Sequence, residues 1–566
     1  MYRRRCRRRN GIGLRIHIIL NMNSNGIGRI GAVLALALVA APALCLLLLA
    51  AGLGTDGSSL GKAIPHLLET VLPRYALTTL MLALAVLVIV LATGVGAAWL
   101  VAAYEFPGRH LLAWLLVLPM AMPAFVMAYA YTDFLSPAGP LQSLLRDLTG
   151  WQVGDYWFPD VHAWPAAAVC LGLSLYPYVY LLARAAFAER SESLMEAARS
   201  LGLGPRAVWW RVVWPVARPA IAAGAVLAMM ETLADFGTVS YFAVDSFTAG
   251  IYRAWQGMGD RAGAARLAVV LLVLVMTLVW LERRSRGRMQ FHARGSRPAS
   301  RRSLKGGTAW RATLACAVPS LLGFVIPSLL LVRSGLSSEV EHGARLWHWV
   351  MNTALLGCAG AALVVPCALV AAYALRLSSM PLLRLAVGFA NTGYAIPGVV
   401  LGVSLLALLG ALGRGLDSIA ATVGLSLNLT SLGLVAVLYA YLVRFFPVGF
   451  QGIDAGLRRI SPSMDQSARS LGRGPWQVLF EVHWPLMRRS MGVAALLVFI
   501  DCVKELPATL VLRPFDFDTL AVVAHHFAAD ERLGEAALPA LLIVLVGAVP
   551  VAWLTRIALA DRTSAP

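Results

Sequence analysis

Residues 193–219 read SLMEAARSLGLGPRAVWWRVVWPVARP, and residues 463–489 read SMDQSARSLGRGPWQVLFEVHWPLMRR. The second stretch begins 270 positions after the first, and the two align without a gap. Arg199/Arg469, Ser200/Ser470, Leu201/Leu471, Gly202/Gly472, Gly204/Gly474, Pro205/Pro475, Trp214/Trp484 and Pro215/Pro485 coincide. A repeat of this kind makes the chain two copies of one unit.

The local chemistry of the repeated stretch predicts two short helices on a glycine turn. Ser193 followed by Glu196 forms a capping box, in which hydroxyl and carboxylate satisfy the first N–H groups of a helix. Ser463 and Gln466 keep the pattern with an amide. The first helix, about 194–201, ends at Gly202, a residue suited to a left-handed cap. Pro205 then opens a second helix, where its missing N–H costs nothing. Val208, Trp209, Val212 and Val213, matched by Val478, Leu479 and Val482, give that helix an apolar side fit for a partner's groove. The competing reading is an amphipathic loop lying on the inner leaflet. A DNA-reading helix pair is disfavoured by the apolar runs that flank each copy closely.

Those runs set the class. Of 566 residues, 59% are hydrophobic and 14% charged, whereas soluble domains carry about 25% charged residues. Segments near the ~20 apolar residues that cross a bilayer recur along the chain. They must be helical, because lipid offers no partner for backbone polar groups. About twelve spans are expected: near 30–52, 75–103, 111–134, 164–187, 218–237 and 265–281 in the first half. In the second they fall near 312–332, 349–375, 382–411, 431–450, 488–504 and 537–557.

The net charge of +19 is concentrated. Residues 1–29 hold eight arginines and no acid, and residues 282–311 hold ten Lys/Arg against Glu282 alone. Basic excess beside spans marks cytoplasmic ground and attracts anionic lipid headgroups. A nucleic-acid partner is not expected, since no folded basic domain with base-reading groups is present. The expected organisation is a basic cytoplasmic segment 1–29, a first half 30–281 with its cytoplasmic loop at 188–217, and a basic linker 282–311. A second half 312–557 follows, with its loop at 451–487, then a cytoplasmic tail 558–566. Both termini fall inside. The loop 505–536, with six acids against two arginines, falls outside. The halves then share one topology, related by an axis along the membrane normal with a pathway between them. The run 30–53 reads as a retained span rather than a cleaved leader, and Met22 is an alternative start.

Seven scattered cysteines show no CxxC or Cys/His spacing, so neither a disulfide framework nor a zinc site is expected. The segment Gly54 to Lys62 lacks the GxxxxGK[ST] spacing and continues with Ala63. No hydrolytic triad is evident. His525-His526 is a candidate metal pair, but neighbouring histidines on a loop are expected to be solvated. The chain is expected to bind no cofactor, to hold no metal of its own and to catalyse nothing alone.

The repeated loop resembles the signature of binding-protein-dependent ABC importer permeases. The signature's EAA, its Gly, and its aliphatic, apolar and Pro positions stand as Glu196-Ala197-Ala198, Gly202, Val212, Trp214 and Pro215. The second copy has Gln466-Ser467-Ala468, Gly472, Val482, Trp484 and Pro485, departing at the first two letters. The resemblance covers essentially the whole chain. It implies the all-α, type I ABC importer permease fold in the bacterial inner membrane. It also implies two cytoplasmic ATPase subunits that use ATP and Mg, one per loop, and one extracytoplasmic binding protein.

Downstream of each loop sits an acidic pair at the same offset: Glu231 and Asp235, then Asp501 and Glu505. A spacing of four places each pair on one helix face. Carboxylates in spans are costly and usually face a pathway or a partner, and four of them would favour a cation. Hard trivalent iron prefers oxygen ligands. The alternative is structural, since the residues lie near the outer span ends and Lys504 is a neighbour. ETLADFGTVSYF at 231–242, KELPATLVLRP at 504–514 and DERLGEAALPALLIVL at 530–545 resemble the fused iron(III) importer permeases. Related permeases implied by the same architecture carry thiamine or, more distantly, polyamines, sulfate or phosphonates. A secondary transporter built on broken helices is the reading from another class; Pro119/Pro123 and Pro397/Gly398 are its observations.

Overall fold

A chain of apolar runs punctuated by proline and glycine should fold as helices that bend where proline removes a donor. The computed structural model describes residues 42–51, 71–188, 196, 198, 200–286, 301–337, 343–378, 380–423 and 430–560. Ser193, Ala197, most of the expected span 30–52 and much of the linker 282–311 lie outside them.

The described elements are α1 Leu72–Ala103, β1 Tyr104–Glu105, α2 Arg109–Leu115, α3 Ala124–Leu135, α4 Pro140–Thr149, α5 Trp164–Ala188, α6 Pro205–Val208 and α7 Trp214–Ala234. Next come α8 Gly237–Tyr241, α9 Phe247–Tyr252, α10 Arg261–Arg286, β2 Arg302–Ser303, α11 Gly307–Ser320 and α12 Ile326–Ser337. Then follow α13 Gly343–Leu377, α14 Pro381–Ala390, α15 Gly398–Val423, α16 Thr430–Arg458, α17 Pro462–Ser470 and α18 Pro475–Val478. The last are α19 Trp484–Val503, α20 Pro507–Leu512, α21 Leu520–Ala529 and α22 Leu533–Ala560.

Among the described residues, eight helices are long and apolar enough to cross a membrane, or ten if two bent pairs each form one span. The expected spans near 111–134 and 382–411 are those pairs, bent by 94° between Ala121 and Ala124 and by 113° between Ala395 and Gly398. The cause is the same in both. Met122 before Pro123 and Ile396 before Pro397 have extended backbone (ψ 107° and 119°), as steric conflict with the proline ring requires. The span expected at 488–504 is α19, whose 20 residues include Arg488, Arg489 and Asp501.

Proline also explains three of the wide turns. Trp209–Val213, Leu479–His483 and Leu321–Val325 are π-helical, and each leads directly into an X-Pro step at Pro215, Pro485 or Pro327. A proline ring inside an α-helix presses on the carbonyl four residues back. The wider turn relieves that contact.

The chain forms two compact units that cut across the sequence halves. The larger comprises Leu46–Thr353, Pro397–Val403 and Val503–Pro566; the smaller includes Ala354–Ile396 and Ser404–Cys502. In the larger unit, elements from the second half join helices of the first. Tyr131 Oη donates to Leu322 O at 2.5 Å, and Trp114 Nε1 to Ala552 O at 3.4 Å. The end of the basic linker is also fixed there. β2 pairs in parallel with β1, and Glu105 accepts from Arg109 Nε at 2.8 Å and Arg301 Nη1 at 3.2 Å.

The repeat extends beyond the quoted stretch. In the larger unit α1 and α5 cross so closely that a Cβ on Gly94 would lie 2.9 Å from Val179 Cβ. In the smaller unit the sizes are exchanged, and a Cβ on Gly449 would lie 2.9 Å from Val364 Cγ1. Further along, Ser246 Oγ accepts from Ala249 N, and Thr519 Oγ1 from Val522 N, capping α9 and α21. Buried Thr79 and Thr353 accept from the first N–H of those same helices, Phe247 N at 3.3 Å and Leu520 N at 2.9 Å.

Candidate coupling loops and path carboxylates

Both copies of the repeated loop close on the same hydrogen bonds. Gly202 and Gly472 have φ of +76° and +80°, the left-handed conformation glycine adopts without strain. Past each, Leu203 N donates to Ala198 O at 3.1 Å and Arg473 N to Ala468 O at 3.2 Å. This six-to-one closure satisfies a carbonyl left open at the helix end. Val208 N then donates to Gly204 O, and Val478 N to Gly474 O, both at 3.0 Å, where the second helix starts at Pro205 or Pro475.

The helix start in the second copy differs from the expected Ser463/Gln466 box. Ser461 is the N-cap and its Oγ accepts from Ser463 N at 3.3 Å. Pro462 is the reason: its fixed φ suits the first helical position, so the helix begins earlier. Ser463 instead accepts from Ser467 Oγ through its carbonyl at 2.9 Å, and Gln466 is exposed.

The apolar side of the second helix also has a different use. Val208, Val213, Val478 and Leu479 are buried within the chain, and Trp209 packs edge-on to Trp99 with ring centroids 4.3 Å apart. The surface left open is formed by other residues. Leu201 and Leu471, at the tips, are 80% and 81% exposed, and Trp210 and Phe480 are exposed behind them. Glu196, Gln466, Ser467, Pro215 and Pro485 are exposed, while Ala198 and Ala468 are buried. Ala197 lies outside the described residues.

Asp235 and Glu505 occupy equivalent turns after α7 and α19. Asp235 accepts from Thr238 N and Val239 N, each at 3.1 Å, and from Thr238 Oγ1 at 3.0 Å, so it caps α8. Glu505, which is buried, accepts from Ala508 N at 3.1 Å at the start of α20. Glu231 and Asp501 stand in the last turns of α7 and α19 and are half-buried. The sequence signal for capping was present, an acid two or three residues ahead of a short apolar run, but the four-residue spacing concealed it.

The histidine pair stands on a helix rather than a loop, and of the two only His526 is exposed as expected. Both residues lie on α21, where His525 is buried with Nδ1 3.0 Å from Tyr129 Oη and its ring 5.6 Å from that of Phe236. Burial pushes its pKa down to about 4, with the neighbouring His526 adding to the effect. Among the described residues no group of three or more His, Cys, Asp or Glu is placed to hold a metal ion. Sequence reasoning passed over Arg376, which lies against the second loop, and over Asp465 and His483 within that loop.

The profile of the family described as "Binding-protein-dependent transport system inner membrane component" matches residues 93–289, which include the first loop. The chain belongs to this family. It is a binding-protein-dependent permease of the ABC importer class, and an all-α membrane protein. Among its relatives is the "Fe(3+)-transport system permease protein FbpB 2" of Haemophilus influenzae, 25% identical over 85% of this chain and 89% of that protein. The "Putative ferric transport system permease protein FbpB 1" of the same organism is 22% identical over 71% of this chain and 64% of its own length. The "Molybdenum transport system permease protein ModB" of Escherichia coli is 30% identical over 34% of this chain and 86% of its own.

Proposed function

We propose that this permease moves iron(III), delivered by an extracytoplasmic binding protein, into the cytoplasm. One observation carries the reading: two relatives that align across both halves, over 85% and 71% of the chain, are named for ferric transport. The molybdenum and sulfate permeases align over 34% and 26% of it.

Two copies of a cytoplasmic ATPase subunit drive the cycle, one on each glycine-turn loop. The exposed tips Leu201 and Leu471 support this, because with Trp210 and Phe480 exposed behind them each glycine-turn loop offers an apolar surface suited to a partner's cover. ATP-driven closure brings the loops together and turns the path outward; hydrolysis resets it, so nucleotide biases one of two states. Glu231, Asp235, Asp501 and Glu505 are the carboxylates proposed along the path. Asp235 and Glu505 combine that place with capping. The protein resides in the inner membrane with both termini in the cytoplasm. The ATPase subunits, not this chain, hydrolyse ATP with Mg.

Uptake of radioactive iron(III) and of thiamine in a deletion strain, with and without the restored gene, tests the assignment. Iron uptake that depends on the gene supports it. Thiamine uptake that depends on the gene, with iron unchanged, would replace it.

A further inference from the structure

Between α3 and α5 the chain carries a helix whose polar side faces the protein and whose apolar side is open. α4 places Leu141, Leu144, Leu145 and Leu148 at the i, i+3, i+4, i+7 spacing of one apolar stripe. On a helix packed against its own core that stripe would be covered. Here Leu144 is 55% and Leu148 77% exposed, and Leu141 and Leu145 are half-buried. The polar side is the one turned inward. Gln142 is buried, donates from Nε2 to Leu135 O at 2.8 Å and accepts at Oε1 from Tyr156 Oη at 2.7 Å. Arg146 donates from Nη1 to Tyr156 Oη at 3.3 Å and from Nη2 to Ser143 Oγ at 3.1 Å.

A short, fixed turn holds the helix at the end of α3. Gly139 N donates to Ser136 O at 2.8 Å, and a Cβ on Gly139 would lie 2.6 Å from Asp133 O, so this approach needs glycine. Gly150, with φ of +75°, closes α4 in the left-handed conformation, its N–H on Arg146 O at 2.8 Å. Beyond it Trp151 stacks on Tyr156 with ring centroids 5.8 Å apart, and Trp157 is 86% exposed. α5, long and apolar enough to cross a membrane, then begins at Trp164, which is also exposed.

Place and chemistry together say what covers the stripe. The segment that holds it leaves one membrane-crossing element, the bent pair ending in α3, and enters another, α5, so the bilayer around those helices is continuous with it. The stripe carries no charge, whereas an interface with another protein has a polar rim. Trp151, Trp157 and Trp164 stand exposed along the same connection, and tryptophan rings collect at the level of lipid headgroups. An apolar helix face free of charge, beside such rings, is the form that enters the acyl boundary. We propose that α4 and the tryptophan segment after it form a lipid-binding surface, with the leucine stripe among phospholipid acyl chains and Trp157 at the headgroups. The hydrogen bonds joining Gln142, Tyr156 and Arg146 keep the stripe turned to lipid. On the topology proposed above, the leaflet is the outer one.

The test places the wild-type permease, assembled with its ATPase, in liposomes containing a phospholipid with a diazirine on one acyl chain, with and without the binding protein. After illumination, peptide mapping locates the lipid adducts. The expected result is labelling of the α4 stripe to an extent like that at Leu77, Leu80 and Leu84, which are exposed on α1, and several-fold above that at Gln142 and Arg146. In the double variant Leu144→Asp, Leu148→Asp the α4 labelling should fall several-fold while α1 keeps its own, which shows the chain still inserted. Labelling of α1 with none on wild-type α4 would overturn the lipid surface. Labelling of α4 that is lost when the binding protein is added would overturn it too and assign the stripe to that partner. The readout uses neither iron nor ATP hydrolysis, so its failure is distinct from failure of the transport reading.

Discussion

Gly94 of α1 meets Val179 of α5 where, 270 positions later, Val364 meets Gly449 with the small and large residues exchanged. A helix crossing this close has room for one branched side chain, and either helix can supply it. Gly449→Val should overpack the smaller unit at a cost of about 1–3 kcal/mol and lower the melting temperature in detergent. Adding Val364→Gly should recover most of the loss. Thermal unfolding of the single and double variants checks this; additive losses would contradict the exchanged contact.

The glycine turns supply a second prediction. At φ of +76° and +80°, a β-branched side chain meets left-handed strain of roughly 1–2 kcal/mol. Gly202→Val or Gly472→Val should therefore reshape the turn and uncouple ATP hydrolysis from uptake while leaving the chain in the membrane. Normal uptake by both variants would count against the coupling role.

The exposed tips allow a cleaner test of docking. Leu201→Asp and Leu471→Asp alter residues that contribute little to the chain's own core, being 80% and 81% exposed. Each should weaken capture of the ATPase subunit by about tenfold or more if the tip is an anchor. Quantitative co-purification measures it, with the amount of membrane-inserted chain as the reference.

Path and cap can be separated among the carboxylates. Asp235→Ala removes the cap of α8 and should cost about 1 kcal/mol of stability, whereas Asp235→Ser should retain most of it. Glu231→Gln and Asp501→Asn should lower iron uptake. Uptake equal to wild type in both would remove these two residues from the path.

His525 gives the chain an acid sensitivity. Its pKa is about 4 in the folded protein because burial disfavours the charged ring, against about 6.5 for an unfolded histidine. The unfolded state therefore takes up the proton first, so this contribution is intact above about pH 6.5 and is lost as pH falls toward 4. The full loss is on the order of 3 kcal/mol. Melting temperature measured across this range should fall less steeply in His525→Gln than in wild type.

What could be read beforehand followed from periodicity and backbone chemistry. The Gly202 and Gly472 turns were legible because a left-handed cap demands glycine. The membrane class was legible because apolar length admits few alternatives. The bends at Pro123 and Pro397 were not legible, since a run of apolar letters carries no angle. The Val208 and Val478 faces were assigned outward because amphipathicity says which residues are covered, not by what. Arg376, Asp465 and His483 were missed since they stand far apart in sequence and only folding makes them neighbours.

The most direct test of the account is ATP hydrolysis by the purified permease–ATPase complex in liposomes, with binding protein added empty, loaded with iron(III), or loaded with thiamine. The account predicts stimulation by the iron-loaded protein together with ATP-dependent entry of iron. Stimulation by the thiamine-loaded protein alone, or iron entry that proceeds without ATP, would contradict it.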